Sequence, residues 1–169
     1  MQTQGPPYNP VYIANYFIEK AHESNQKITP LKLQKLVYFA HGWYLALAKQ
    51  PLINETVEAW PYGPVIPGLY QEFKAWGKNN ITKAAKGFAI NGTTFYEYDL
   101  EIDKDDQIRV FLDKIWNKYG KLDGYLLSAI THLPGSPWDK TRKAAKTIER
   151  GKDIDENDIR DYFLGLANG

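Results

Sequence analysis

Residues 29–48, TPLKLQKLVYFAHGWYLALA, decide the fold. Thr29 is a good N-cap and Pro30 fits the first turn of a helix, where its missing N–H is no loss. Leu33, Leu36, Val37, Ala40, Tyr44 and Leu47 then recur at helical spacing and make one apolar face. Phe39, Trp43 and Ala46 widen that face beyond a single stripe, so the helix should be central and covered on more than one side. Lys32 and Lys35 fall on what reads as its polar flank, near the start. The pattern predicts a helix that the rest of the chain packs around.

Working outward, residues 1–8 read as a mobile tail. Asn9 and Pro10 repeat the cap-plus-proline start, and Val11, Ala14, Ile18 and Ala21 carry a first helix to the polar run ESNQK. After residue 48 the helical pattern breaks. TVEAW alternates like a short strand, and Gly63-Pro64 is read as the restart of a helix with Val65, Leu69 and Phe73 in one stripe and Gly77 as its stop. Residues 78–102 differ in texture. In FAINGTTFYEY, Asn91-Gly92 separates two β-prone runs, a strong hairpin signal.

Asp103 is read as the start of another helix, with Ile108, Phe111, Leu112, Ile115, Trp116 and Tyr119 in register and Gly120 as its end. Leu122, Tyr125, Leu126, Ala129 and Ile130 predict the next. A short helix is expected from Trp138, and a last one from about Ile154 with Ile159, Tyr162, Phe163 and Leu166 inward. The fold expected is mainly α: a single compact domain of six or seven helices over 9–169, with a small β-hairpin element.

The bulk numbers exclude several function classes. The chain has 169 residues, enough for one domain with its own core. Apolar residues are 43% and aromatics 14%, a globular composition rich in the residues that fill cores and interfaces. The net charge of +1 does not by itself announce nucleic acid or membrane. With no cysteine there is no disulfide, thiolate zinc site, iron–sulfur cluster or cysteine nucleophile. The opening MQTQGPPYNP lacks a basic region followed by an apolar one, and the apolar run 36–48 is too short to span a bilayer, so a cytoplasmic protein is expected.

Chemistry-bearing patterns are sparse. His22, His41 and His132 have no metal-ligand spacing, and His41 reads as a core histidine. Acidic runs beginning at Asp103 and Asp153 fail as calcium loops. Ile108 and Asp158 stand where glycine is required, and Lys114 and Leu164 where a bidentate glutamate is required. These carboxylates read instead as helix caps. No phosphate loop, dinucleotide fingerprint or nucleophile elbow occurs, and neither a cofactor nor a metal is expected. Ser128 and His132, four apart, resemble half a catalytic triad with nothing to complete it. The basic residues Lys140, Arg142, Lys143, Lys146, Arg150 and Lys152 could meet phosphate, but the acidic stretch 153–161 follows directly, and a solvated face is the simpler reading.

Three blocks in order carry a resemblance: ITPLKLQKLVYFAHGWYLAL, EAWPYGPVIPGLYQEF and LSAITHLPGSPWDKTR. The chain resembles the Panacea antitoxin domain family, also described as SocA-like or phage-associated GepA-like, over roughly 11–163. The hairpin region 78–102 lies outside the recognised blocks and reads as an insertion. The resemblance implies a bacterial, phage or prophage protein that neutralises a toxin encoded beside it by binding it directly. In one branch of the family the toxin is instead handed to the ClpXP protease. No enzymatic activity is implied. A role as a DNA-binding regulator of its own operon stays open as an alternative.

The family's motif positions fall on Thr29, Leu31, Lys32, Leu33, Lys35, Leu36, Tyr38 and Trp43, then Trp60, Tyr62, Gly63, Pro64, Val65 and Tyr70, then Thr131, His132, Pro137 and Trp138. The candidate partner-binding residues are Lys32, Lys35, Tyr38, Trp60, Tyr62, Pro64, His132 and Trp138. Trp60, Gly63 and Pro64 have a structural reading first, as a stiffened turn under the central helix. Tyr62, an aromatic between prolines, is the residue expected to reach a partner. Lys32 and Lys35 could form a basic ledge beside the turn, Trp138 could plug the side of the domain, and His132 could cap a helix C-terminus. The toxin-specific surface is expected on the hairpin and the first helix.

Overall fold

The computed structural model describes residues 5–145 and 151–169. Residues 1–4 of the expected tail, and Lys146, Glu149 and Arg150 of the basic stretch, lie outside the described residues. Tyr8, at the end of the expected tail, is buried: its N–H donates to Leu52 O (2.8 Å) and its hydroxyl to Asp106 (2.7 Å). Its aromatic ring has more to gain from the core than the chain loses by being ordered there.

The opening stretch forms α2 (Pro30–Ala48), capped by Thr29, whose Oγ1 accepts from Lys32 N. It ends at Lys49, which takes a left-handed conformation at φ +58°. Helices α1 (Pro10–Glu23), α3 (Pro67–Phe73), α4 (Ile108–Tyr119), α5 (Gly124–Thr131) and α7 (Glu156–Asn168) all contact α2; α6 (Pro137–Ala144) sits against α7. The wide apolar face explains this enclosure. Phe39 stacks on Tyr119 of α4, with centroids 4.4 Å apart and planes at 8°, and meets Phe163 of α7 edge-on. Gly42 lets α7 come close, since a Cβ there would fall 2.2 Å from the Phe163 ring. Leu47, expected on the core stripe, is exposed because it lies in the last turn, beyond its neighbours' cover. The expected mainly α fold is what forms: among the described residues, seven α-helices with two small sheets make one compact domain.

Three elements depart from the sequence reading. Gly63-Pro64 does not restart a helix. It lies in β2 (Gly63–Val65), antiparallel to β1 (Glu58–Trp60), and α3 begins at Pro67 instead. Gly63 sits at φ +107°, far from helical geometry, and Pro64 is tolerated because β2 is an edge strand that does not need its N–H. A two-residue strand β5 (Lys152–Asp153) pairs with β1 and completes the order β2-β1-β5, a pairing no local pattern announced. Helix α4 begins at Ile108 rather than Asp103, because Asp103–Asp106 closes a turn and Asp106 Oδ1 accepts from Ile108 N.

The hairpin forms from β3 (Lys86–Asn91) and β4 (Thr94–Asp99), one residue out of the expected register. Asn91 pairs with Thr94, so Gly92 and Thr93 make the turn; Gly92 takes φ +62° at its first position, as a glycine-first two-residue turn requires. Helix α5 is rotated from the expected face: Leu127 and Thr131 point inward while Tyr125 and Leu126 are exposed. Helix α7 keeps the expected face, with Ile159 and Phe163 fully buried and Tyr162 packed against the core, but Leu166 is exposed. Asp155 caps α7 through Asn157 N (2.7 Å), as the capping reading of that acidic run predicts.

Candidate functional site

The segment Trp60 to Pro64 is held by side chains from three helices, one for each of four carbonyls. Trp138 Nε1 of α6 donates to Trp60 O (2.7 Å). The His132 ring, at the end of α5, places Nε2 3.3 Å from Pro61 O and Nδ1 2.6 Å from Ser128 O. Ser128 Oγ donates to Tyr62 O (2.9 Å), and Lys35 Nζ of α2 donates to Pro64 O (2.8 Å). One step further on, Gln34 of α2 clamps Ile66 on both sides: its Nε2 donates to Ile66 O (3.0 Å) and its Oε1 accepts from Ile66 N (2.9 Å). A turn rich in proline has few N–H groups to trade, so its carbonyls are satisfied from outside.

This network corrects the placement of several candidate residues. Lys35 is fully buried, and burial pushes its amine down to about 7. Lys32 is also buried. Its Nζ donates to Gly120 O (2.5 Å) and lies 5.5 Å from the centroid of the Trp116 ring; desolvation lowers its pKa against the pull of Asp123. The two lysines therefore form no basic ledge. They sit inside the domain, each spending its ammonium on a backbone carbonyl of another segment. Tyr38 is buried against Phe39 and Phe163, and its phenol is pushed up by burial. Pro64 is buried under α2.

Trp60 is half-buried, with its ring 4.8 Å from Tyr70 and its Nε1 donating to Glu58 (2.6 Å). Trp138 is partly buried against the core with its ring 4.0 Å from that of His132, and His132 is the C-cap residue of α5. Tyr62 alone of the eight candidates is exposed, at 78%. It stands over a cleft of about 420 Å³ shared with Thr29, Leu31, Lys78, Asp123 and Tyr125.

Gln34 and Ser128 were missed as supports of the turn. Gln34-Lys35 had a visible signal: two adjacent polar residues interrupting a helix otherwise apolar nearly all round. Ser128 and His132 do not form a nucleophile–base pair. The serine hydroxyl goes to Tyr62 O, and the imidazole faces backbone carbonyls on both sides. Among the described residues no cluster of three or more histidines or carboxylates is placed to hold a metal ion. In the basic stretch Lys140 pairs with Asp158 and Lys143 with Asp139, while Arg142 lies over the Trp138 ring.

A second surface lies on the hairpin. Asn15 of α1 fixes its base: Ala85 N donates to Asn15 Oδ1, and Asn15 Nδ2 donates to Ala85 O and Leu100 O, all at 2.9 Å. Gly87 lies directly under the Tyr98 ring on the face toward the body of the domain. The register puts Phe88, Ile90 and Phe95 on the other face, where they are 60%, 71% and 65% exposed. The two phenylalanine rings stack with centroids 5.4 Å apart.

A model of the Antitoxin SocA-like, Panacea domain family matches residues 33–139. The chain belongs to this SocA-like antitoxin family. It is 33% identical to Antitoxin SocA of Caulobacter vibrioides (strain NA1000 / CB15N) over 153 residues, covering 89% of this chain and 80% of that protein. No solved structure matches. The matched span of the Panacea domain takes in most of α2, the held turn and all of α5, runs through the hairpin and ends in the first turn of α6. Among the described residues no helix is long and apolar enough to cross a membrane.

Proposed function

We propose that this Panacea-domain antitoxin acts by binding a cognate toxin directly and covering its active or effector surface, without turnover of a substrate. The observation that carries the reading is the outward apolar face of the hairpin. Three large side chains stand in water there, on an element anchored at its base by Asn15. Exposed clusters of this kind are costly in an isolated soluble protein and mark interaction surfaces. A two-stranded element with a fixed root also loses little conformational freedom on contact.

Tyr62 is the candidate residue proposed to touch the partner as a separate anchor, since its backbone is held and its ring is free. Lys35, His132 and Trp138 hold the turn that carries it, Trp60 and Pro64 are part of that turn, and Lys32 and Tyr38 belong to the platform beneath. The DNA-binding alternative draws little from the basic stretch, whose described cations at 140 and 143 already face carboxylates.

The test is rescue of growth when the protein from the adjacent reading frame is induced. Wild type and His132→Ala, each shown to be folded by circular dichroism, are expected to rescue. The double variant Phe88→Ser with Phe95→Ser is expected to lose rescue at unchanged melting temperature. Rescue by that double variant would overturn the reading.

A further inference from the structure

The hairpin's apolar face has an acidic border. Glu97 lies opposite Phe88 and Asp99 opposite Lys86, on the same side as the exposed aromatics. Lys86 pairs with Asp99 and also feels Glu97 and Glu101, which together with that ion pair raise its pKa. Three carboxylates around one ammonium leave this border negative. The sequence continues the trend: 97–106 holds Glu97, Asp99, Glu101, Asp103, Asp105 and Asp106 against Lys104. Glu97, Glu101, Asp103 and Asp105 are exposed and take part in no ion pair among the described residues.

We infer that the hairpin recognises a cationic protein surface: a toxin face with an apolar knob that meets Phe88, Ile90 and Phe95, ringed by lysine or arginine that meets Glu97 and Glu101. The inference rests on the reading of the hairpin as the toxin-facing element and adds the chemistry of the partner. Two other occupants fit less well. A second copy of the chain would bring the same negative border against itself. The three side chains also expose only roughly 400 Å², taking about 200 Å² for a whole aromatic side chain, against about 800 Å² per partner in a stable interface. Nucleic acid would meet carboxylates where it needs cations. A cationic protein converts the border from a penalty into part of the footprint, and the aromatic pair supplies the dry centre.

The experiment measures association of the purified protein from the adjacent reading frame with this chain by stopped flow, at about 50 mM and about 500 mM salt, where the Debye length falls from well over 10 Å to a few ångströms. For wild type the association rate constant is expected to fall about tenfold or more across that range. Glu97→Lys with Glu101→Lys is expected to slow association at low salt by a similar factor and to flatten the salt dependence. Glu97→Gln with Glu101→Gln is expected to fall between. Both pairs are at the surface, and an unchanged melting temperature shows that the fold is kept. Phe88→Ser with Phe95→Ser is expected to act on dissociation instead.

Tight binding that is salt-independent and indifferent to the charge variants would overturn the inference while leaving direct neutralisation standing. Absence of binding, or binding untouched by the phenylalanine variants, would overturn the reading beneath it. A dimer of this chain alone in sedimentation, broken by Phe95→Ser, would assign the face to a second copy and equally overturn the inference.

Discussion

At the scale of single residues, two buried titratable groups on α2 give the fold a distinctive dependence on pH. His41 is fully buried, and neither ring nitrogen has a hydrogen-bond partner among the described residues; the nearest carboxylate oxygen, on Glu156, is 3.6 Å away, too far for a hydrogen bond. Burial pushes its pKa down from 6.5 to about 4. Between those values the unfolded chain holds a proton that the folded chain refuses, so stability falls as pH drops through that window. His41→Leu is expected to flatten the fall in melting temperature between pH 6.5 and 4. Lys35 acts in the alkaline window, since its pKa drops from 10.5 to about 7. There too the unfolded chain binds more protons, so the cost of burying the ammonium is largest below about 7 and fades as pH rises. Lys35→Met is therefore expected to gain on wild type in melting temperature at pH 6 relative to pH 9, whatever the offset from the lost bond to Pro64 O. An equal difference at both pH values would show that Lys35 is not buried as described.

At the scale of elements, the boundaries that rest on local chemistry were legible in the sequence. Asn9-Pro10 and Thr29-Pro30 open α1 and α2 where cap and proline both demand it, and the hairpin forms around Gly92. The boundaries that rest on distant partners were not legible. Strand β5 exists because β1 offers it an edge, and Gly63–Val65 is a strand because β1 pairs with it rather than because of its own propensity. Asn15 shows the same limit: as one polar residue in an amphipathic helix it looks like solvent-facing filler, yet it makes three hydrogen bonds to chain segments 70 and 85 residues away. Asn15→Ala would leave those backbone groups unpaired and cost about 2 kcal/mol. Amide exchange should accelerate across β3 and β4 while amides of α2 keep their protection. Uniform acceleration through the whole domain would mean that the hairpin is not separately anchored by this residue.

At the scale of the whole molecule, the residues that mark the family act mostly inward. Lys32, Lys35, Tyr38 and Pro64 belong to motifs that give residue types in order, and such a motif is silent on which way each side chain points. The charge of the two lysines suggested a surface, whereas the core uses both ammonium groups to reach carbonyls across the domain, and Tyr38 packs its ring against Phe39 and Phe163. The exposure of Tyr62 was legible because a ring between two prolines in a tight turn has nowhere to fold back to. The account therefore separates a helical platform from the face that works. Hydrogen exchange of the chain, alone and bound to the protein of the adjacent reading frame, tests that separation most directly. The account predicts new protection across residues 86–99. Protection confined to the helices, with β3 and β4 exchanging as fast as in the free protein, would contradict it.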